Sequence, residues 1–261
     1  DRCQAVNHGC LDSFFAGNRF EATDQATAEG IRMLHAGAHA LDIGGQSTRP
    51  NAIEVGAHEE WTRIKDVLKS ILNEIPQAII SVDTFHGEVA ERALDAGAFM
   101  INDVYAGQKD GRLIQAISSH NAPLVIMHMQ GTPANMQENP SYIHASLEIQ
   151  EWLALRSKVL REQGVKQLII DPGFGFGKTI AHNFQILRDL RELKKLGLPV
   201  LAGLSRKSMI WKALESSPED AMNGTTALNA WALDRGAHIL RVHDVREALE
   251  AIKLFSLLES A

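Results

Sequence analysis

The reading of LIIDPGFGFGKT, residues 168–179, decides the fold. An apolar run ends on Asp171, and a glycine-rich turn then leads to Lys178 and Thr179. A Walker-type phosphate loop needs Gly, four residues, then Gly-Lys-Ser/Thr, because its backbone amides wrap the phosphates. Counting back from Gly177, the residue that must be glycine is Pro172, which has no amide to donate. The nucleotide-hydrolase reading fails there. What remains is a buried strand that ends on a carboxylate and passes into a βα loop.

Similar runs recur along the chain: CQAVNH (3–8), AHALDIGG (38–45), AIISVDT (78–84), AFMINDV (98–104), PLVIMHM (123–129), QLIIDPG (167–173), PVLAGLS (199–205) and AHILRVH (237–243). Several lack alternation, as expected of strands buried on both faces of a parallel sheet. The segments between them have helical spacing. Trp61, Ile64, Val67, Leu68, Ile71, Leu72 and Ile75 form one apolar stripe, and Phe184, Leu187, Leu190 and Leu193 form another that stops at Gly197 and Pro199. Asp244 is expected to cap a last helix bearing Val245, Ala248, Leu249, Ile252 and Phe255. A long helix is expected within 142–163. Eight strands alternating with helices predict an α/β (β/α)8 TIM barrel, a single domain over residues 1–261. An open doubly wound sheet is the rival, but it does not require that count.

Composition agrees with one large α/β domain: 261 residues, 45% hydrophobic, 22% charged and 6% aromatic. The net charge of −6 argues against a nucleic-acid partner, although a local basic pocket is compatible with it. Cys3 and Cys10 cannot build a scaffold of several bridges, which favours reduced thiols and a cytoplasmic setting. No run of about 18 apolar residues is available to span a membrane, and DRCQAVNHGC (1–10) lacks the apolar centre of a secretory signal. The first residue is not Met, so upstream residues are expected to be missing.

Polar residues mark the strand ends. They are Asp42, Asp83, Asn102-Asp103, Met127-His128-Met129, Asp171, Ser205-Arg206-Lys207-Ser208, and Arg241 with His243. In a parallel barrel these ends share one mouth, where active sites lie. Taken singly, Asp42 and Asp103 read as caps or turn formers, His128 as structural and Lys178 as a solvated loop residue. Capping does not explain the set. Asp83, Asn102 and Asp171 form an acceptor-rich group suited to a flat heterocycle with N–H donors. Lys207, Arg241 and His243 suit a phosphate or pyrophosphate. The pair of pockets points to a heterocycle carrying a phosphorylated leaving group.

At these residues the chain resembles the dihydropteroate synthase family. The matching segments are DSFFAGNRF (12–20), LDIGGQSTRP (41–50), ISVDT (80–84), MINDV (100–104), PLVIMHMQGTP (123–133), IIDPGFGFGK (169–178), LAGLSRKSMI (201–210) and NGTTALNAWALDRGAHILRVHDV (223–245). The resemblance implies a barrel that joins p-aminobenzoate to 7,8-dihydropterin-6-ylmethyl diphosphate with Mg2+, giving 7,8-dihydropteroate and pyrophosphate for folate synthesis. By position, Asp83, Asn102, Met127, Asp171 and Lys207 would bind the pterin, and Arg241 and His243 the diphosphate. Thr48, Arg49, Pro50 and Ser208 would shape the aminobenzoate site, where sulfonamides compete. Asp12 and Ser13 would belong to a flexible catalytic loop. Asp83, Asp171, Lys207, Arg241 and His243 would carry the chemistry, an SN1-like displacement. A homodimer through outer helices is implied too.

Two places depart from the family pattern. In NHGCLDSF (7–14) the family has Asn-Val-Thr-Pro-Asp-Ser-Phe, so an ungapped match puts His8 at the metal position and a one-residue slip restores Asn7. An amide oxygen suits Mg2+ better than imidazole, which favours Asn7. Cys3, His8 and Cys10 are a poor closed set for zinc. Gln46 stands where the family commonly has Glu. Two other functions compete. One is a methyltransferase acting on methyltetrahydrofolate with a corrinoid protein, which has no evident need for STRP, SRKS and RVHDV. The other is a non-catalytic pterin-binding protein.

Overall fold

The computed structural model of the chain describes residues 4–10, 19–46, 54–133 and 135–261, with side chains from residue 23 onward. Asp12, Ser13, Thr48, Arg49 and Pro50 lie outside the described residues. Eight parallel strands form one sheet: β1 (Gln4–Cys10), β2 (Ala40–Gly44), β3 (Ile79–Asp83), β4 (Met100–Asp103), β5 (Leu124–Met127), β6 (Leu168–Asp171), β7 (Leu201–Ala202) and β8 (Ile239–Val242). Their spatial order is β6-β5-β4-β3-β2-β1-β8-β7. The ring closes by a single parallel bridge, Ile170 to Val200, beside which the Ile170 N–H donates to the Pro199 carbonyl at 2.9 Å. The fold is the expected (β/α)8 barrel. Each predicted strand is present, but β7 is only two residues long, because Pro199 cannot donate to a ladder and Gly203 passes under a side chain described below.

Helices alternate with the strands: α1 (Arg19–His35), α2 (Ala57–Glu74), α3 (Gly87–Asp95), α4 (Gly111–His120), α5 (Ala145–Glu162), α6 (Ile180–Arg188), α7 (Ser208–Trp211), α8 (Met222–Asp234) and α9 (Val245–Glu259). The stripe of α2 is buried at Ile64, Val67, Leu68 and Ile71, and it includes one residue that periodicity did not single out, Glu60. The expected second stripe does not form one helix. After α6 the chain tightens into a 3-10 turn at Leu190–Leu196, with Asp189 at the break taking bonds from Arg188 and from Ser146 of α5. Gly197, in the left-handed region at φ 64°, ends it. Asp244 stands at the N-cap of α9 but makes no side-chain cap bond. Its carboxylate is bound by Arg206 instead, so the expected cap is corrected. No helix among the described residues is long and apolar enough to cross a membrane.

Alternation along each strand sorts the barrel into layers. One parity, including Leu41, Ile43, Ile80, Val82, Ile101, Leu124, Ile126, Ile170 and Leu240, packs with the helices in the main core. The other parity faces inward. Its lower layer is apolar, a cluster of Ala40, Met100, Val125, Leu201 and Ile239 with Ile79 and Ile169 against it. Two residues further along the same strands stand Asp42, Asn102, Met127, Asp171 and Arg241, all buried. Position in the fold thus sets the polar ring about 7 Å above the apolar plug.

Candidate active site

Arg241 is the hub of the polar ring. Its Nη1 lies 3.6 Å from Asp42 Oδ2 and its Nη2 3.7 Å from Asp171 Oδ2. The guanidinium reaches Asp171 across β7, and Gly203 allows this: a Cβ there would lie 3.1 Å from Arg241 Nη2. Asn102 donates to Asp42 Oδ2 at 2.9 Å. Asp83 stands beside it, in register with Asn102. Burial, and then the charge of Asp42, push the Asp83 carboxyl up to about 8, against the pull of Arg241. Burial and the neighbouring Asp42 charge thus favour the protonated form of Asp83. For Arg241 burial opposes the charge, but Asp171, Asp42 and Asp83 outweigh it and hold the guanidinium above its ordinary pKa.

The opposite wall is basic. Lys207 donates to the Phe174 carbonyl, and its ammonium lies 4.8 Å from the centre of the Phe176 ring. Burial, and then Arg241, lower it to about 7. His243 Nδ1 lies 2.9 Å from Ser205 Oγ. A cavity of about 130 Å3 is lined by Asp83, Val104, Phe176, Gly203, Ser205, Lys207, Arg241 and His243. Met127 is buried at the end of β5, whereas Ser208 opens α7 and is exposed.

The glycine-rich loop now has a physical account. Its amides are spent inside the protein: Gly173 N–H on Asp171 Oδ1 at 2.7 Å, Gly175 N–H on Asn183 Oδ1 at 2.7 Å, and Phe176 N–H on the Gly173 carbonyl at 3.1 Å. They do not cradle a phosphate. Gly173 and Gly177 have φ of 71° and 62°, and a Cβ would meet the His128 carbonyl oxygen at 2.0 Å and that of Gln130 at 2.5 Å. Only glycine fits where this loop presses on the end of β5. The expectation that Lys178 is solvated is overturned. It is buried, and its Nζ donates to the carbonyls of His128 and Phe176 at 3.1 and 2.8 Å, with His128 Nδ1 at 3.2 Å. Burial, and then the Lys178 charge, lower His128 to about 3, so it serves as a neutral structural residue.

Asp103 is the turn former it was expected to be, accepting the Tyr105 N–H at 2.8 Å. Asp42 is not a cap but part of the charged ring. Parity was the available signal, since Asp42 falls two residues after the inward Ala40. Glu60 had no signal beyond its place beside an apolar stripe. It packs against Gly45, accepts from Thr84 Oγ1 at 3.0 Å, and is pushed by burial up to about 8. Above it, Gln46 Oε1 accepts the Val55 N–H at 3.0 Å and His86 Nε2 lies 3.1 Å from the Val55 carbonyl. Gln46 is thus a neutral acceptor for the chain that leads into α2. In β1, backbone register pairs His8 with Asp42 and Asn7 with Leu41. Among the described residues, no group of three or more His, Cys, Asp or Glu could hold a metal ion.

Known proteins are similar to this chain in sequence and fold. Residues 10–243 match the family described as pterin binding enzyme, and the chain belongs to that family. It is 38% identical over 245 residues to the dihydropteroate synthase of Escherichia coli strain K12, covering 93% of this chain and 86% of that protein. The structure of Xanthomonas albilineans dihydropteroate synthase with 4-aminobenzoic acid superposes with a TM-score of 0.93 at 38% identity, covering 100% of this chain and 94% of that one. A Yersinia pestis dihydropteroate synthase in complex with a sulfonamide drug does so at 0.93 and 39%, covering 100% and 95%. Within the family, the chain's activity is that of the dihydropteroate synthases, transferases of folate biosynthesis.

Proposed function

We propose that the mouth of this barrel joins p-aminobenzoate to 7,8-dihydropterin-6-ylmethyl diphosphate, releasing pyrophosphate. The observation that carries this reading is one barrel mouth where Asp83 shares a cavity with the donors Lys207, Arg241 and His243, while Arg241 reaches Asp171 and Asn102 stands in register with Asp83. The acceptors match the N–H edge of a pterin. Asp83 gains donors when the ring binds, and it ionises as they arrive. Its charge and that of Asp171 then stabilise a cation developing at the pterin methylene as the C–O bond breaks. Met127 packs near the ring face. Arg241 and His243 receive the departing diphosphate, and the neutral aryl amine attacks the cation, a step that depends on positioning. Thr48, Arg49, Pro50 and Ser208 shape the amine's site, and Asp12 and Ser13 belong to the catalytic loop.

Donor chemistry supports Mg2+ at the first strand. This ion keeps several waters and needs only one or two protein oxygens beside substrate phosphates, so a closed cage is not required. By donor type the Asn7 amide would supply such an oxygen, whereas by register His8 is paired with inward Asp42 and Asn7 with Leu41 of the other parity. Bound there, the ion would add positive charge for the leaving diphosphate. The protein works as a cytoplasmic homodimer of one-domain barrels, and the exposed Trp231, Leu254 and Leu258 of α8 and α9 provide an apolar face for pairing. Sulfonamides compete with p-aminobenzoate.

The test is a product assay with dihydropterin diphosphate, p-aminobenzoate and Mg2+. Wild type is expected to form dihydropteroate, and Asp83→Ala, Lys207→Ala and Arg241→Ala to lose it while staying folded. Asn7→Ala and His8→Ala show which position governs Mg2+ dependence. Pterin binding without any product would replace this reading with a binding protein.

A further inference from the structure

Ser205 lies outside every role assigned so far, yet it touches the histidine of the wall that holds Lys207 twice. Its Oγ accepts the His243 backbone N–H at 3.2 Å and lies 2.9 Å from the His243 Nδ1. Ser205 is 4% exposed, and these are its side chain's only bonds among the described residues. A serine hydroxyl has one proton to give. Its second lone pair could take an Nδ1–H, but the hydroxyl proton would then have no acceptor among the described residues; donated to Nδ1, it has one. An Nδ1 that accepts leaves the ring proton on Nε2.

Arg206 holds the two loops at the spacing this bond needs. Its φ of 53° is left-handed, an uncommon conformation for a non-glycine residue. The guanidinium takes both oxygens of Asp244 at 2.9 and 2.8 Å, and its Nη1 also donates to the carbonyls of Pro218 and Glu219 at 3.2 and 3.0 Å. The residue after Ser205 is thereby tied to the residue after His243. A bidentate pair of this kind fixes orientation as well as distance.

We infer that Ser205 is a positioning residue that fixes His243 as the Nε2–H tautomer, with Arg206 and Asp244 as the strut that keeps the two loops in contact. Nδ1 is then satisfied within the protein, and the ring's N–H donor is on Nε2. The functional half of this inference rests on the proposed role of His243 at the diphosphate; the tautomer half does not.

Long-range 1H–15N correlation spectra of the full chain, labelled at histidine and assigned with His243→Gln, read the tautomer directly. Wild type is expected to show an unprotonated Nδ1, Ser205→Ala a mixture of tautomers, and Ser205→Thr the wild-type pattern. A wild-type ring protonated on Nδ1, or an unchanged pattern in Ser205→Ala, overturns the inference. In turnover, Ser205→Ala should raise KM for the pterin diphosphate about fivefold to tenfold, as expected for one lost hydrogen bond. KM for p-aminobenzoate should stay within about twofold, and Ser205→Thr should restore the first value. Equal changes in both KM values would show a merely structural role. A wild type with the expected tautomer but no turnover would overturn the proposed reaction and leave the tautomer assignment standing.

Discussion

The lower and upper layers of the barrel interior come from the same strands, two residues apart, yet they do different work. Ile239 and Arg241 make the contrast on β8. Ile239 joins a plug of aliphatic side chains that needs only volume and burial. Arg241 sits in a charged ring whose carboxylates hold its guanidinium ionised. The apolar layer gives the polar one a dry floor, and a dry floor is what drives Asp83 up and Lys207 down. Stability and chemistry are stacked rather than mixed.

The comparison breaks most sharply at Arg241. Arg241→Met should lower kcat/KM about a thousandfold, the scale of removing a preorganised donor. It should also destabilise the fold by about 2–4 kcal/mol in thermal melts, because buried carboxylates lose their partner. Ile239→Ala should leave kcat of the folded fraction nearly unchanged and cost about 3 kcal/mol of stability. If Ile239→Ala instead lowered kcat as much as Arg241→Met, the separation of layers would be wrong.

Glu60 extends the contrast outside the ring. Its folded pKa of about 8 lies above the ordinary 4.5, so its contribution is full below about pH 4.5 and is lost as pH rises through 8. Denaturant titrations of Glu60→Gln and wild type should diverge in the variant's favour by about 3–4 kcal/mol between pH 5 and pH 8. Parallel curves would show that Glu60 does not titrate with folding. The smallest effect is a proton count. Pterin binding at pH 7 should release up to about one proton as Asp83 ionises, with affinity rising toward pH 8. Calorimetry in buffers of different ionisation enthalpy measures it, and proton uptake would contradict the assignment.

Much of this was legible beforehand, for a specific reason. The eight parallel strands were readable because several of the runs are apolar on both faces and most end in a polar residue, a pattern that survives without knowing the contacts. Asp83, Asn102, Asp171, Lys207 and Arg241 were readable because strand ends in a barrel share one mouth. Three residues escaped that logic. Asp42 looks like any strand-end carboxylate until its inward parity is counted. Lys178 reads as solvated because only the folded loop brings the His128 and Phe176 carbonyls to its ammonium. Asp244 has the residue type and place of a cap, but Arg206, 38 positions earlier, offers it a stronger partner. Long-range competition of this kind leaves no local trace.

Arg241 has one more consequence, a mechanical one. Seven of the barrel's eight joints are ladders, and the joint between β6 and β7 is one bridge. A ring under load opens at its thinnest link. The ion pair from Arg241 to Asp171 spans that link like a bolt, passing over the bare Gly203. The group that would receive the leaving diphosphate is also the fastener of the hoop, so a change that spoils turnover at this position loosens the barrel as well.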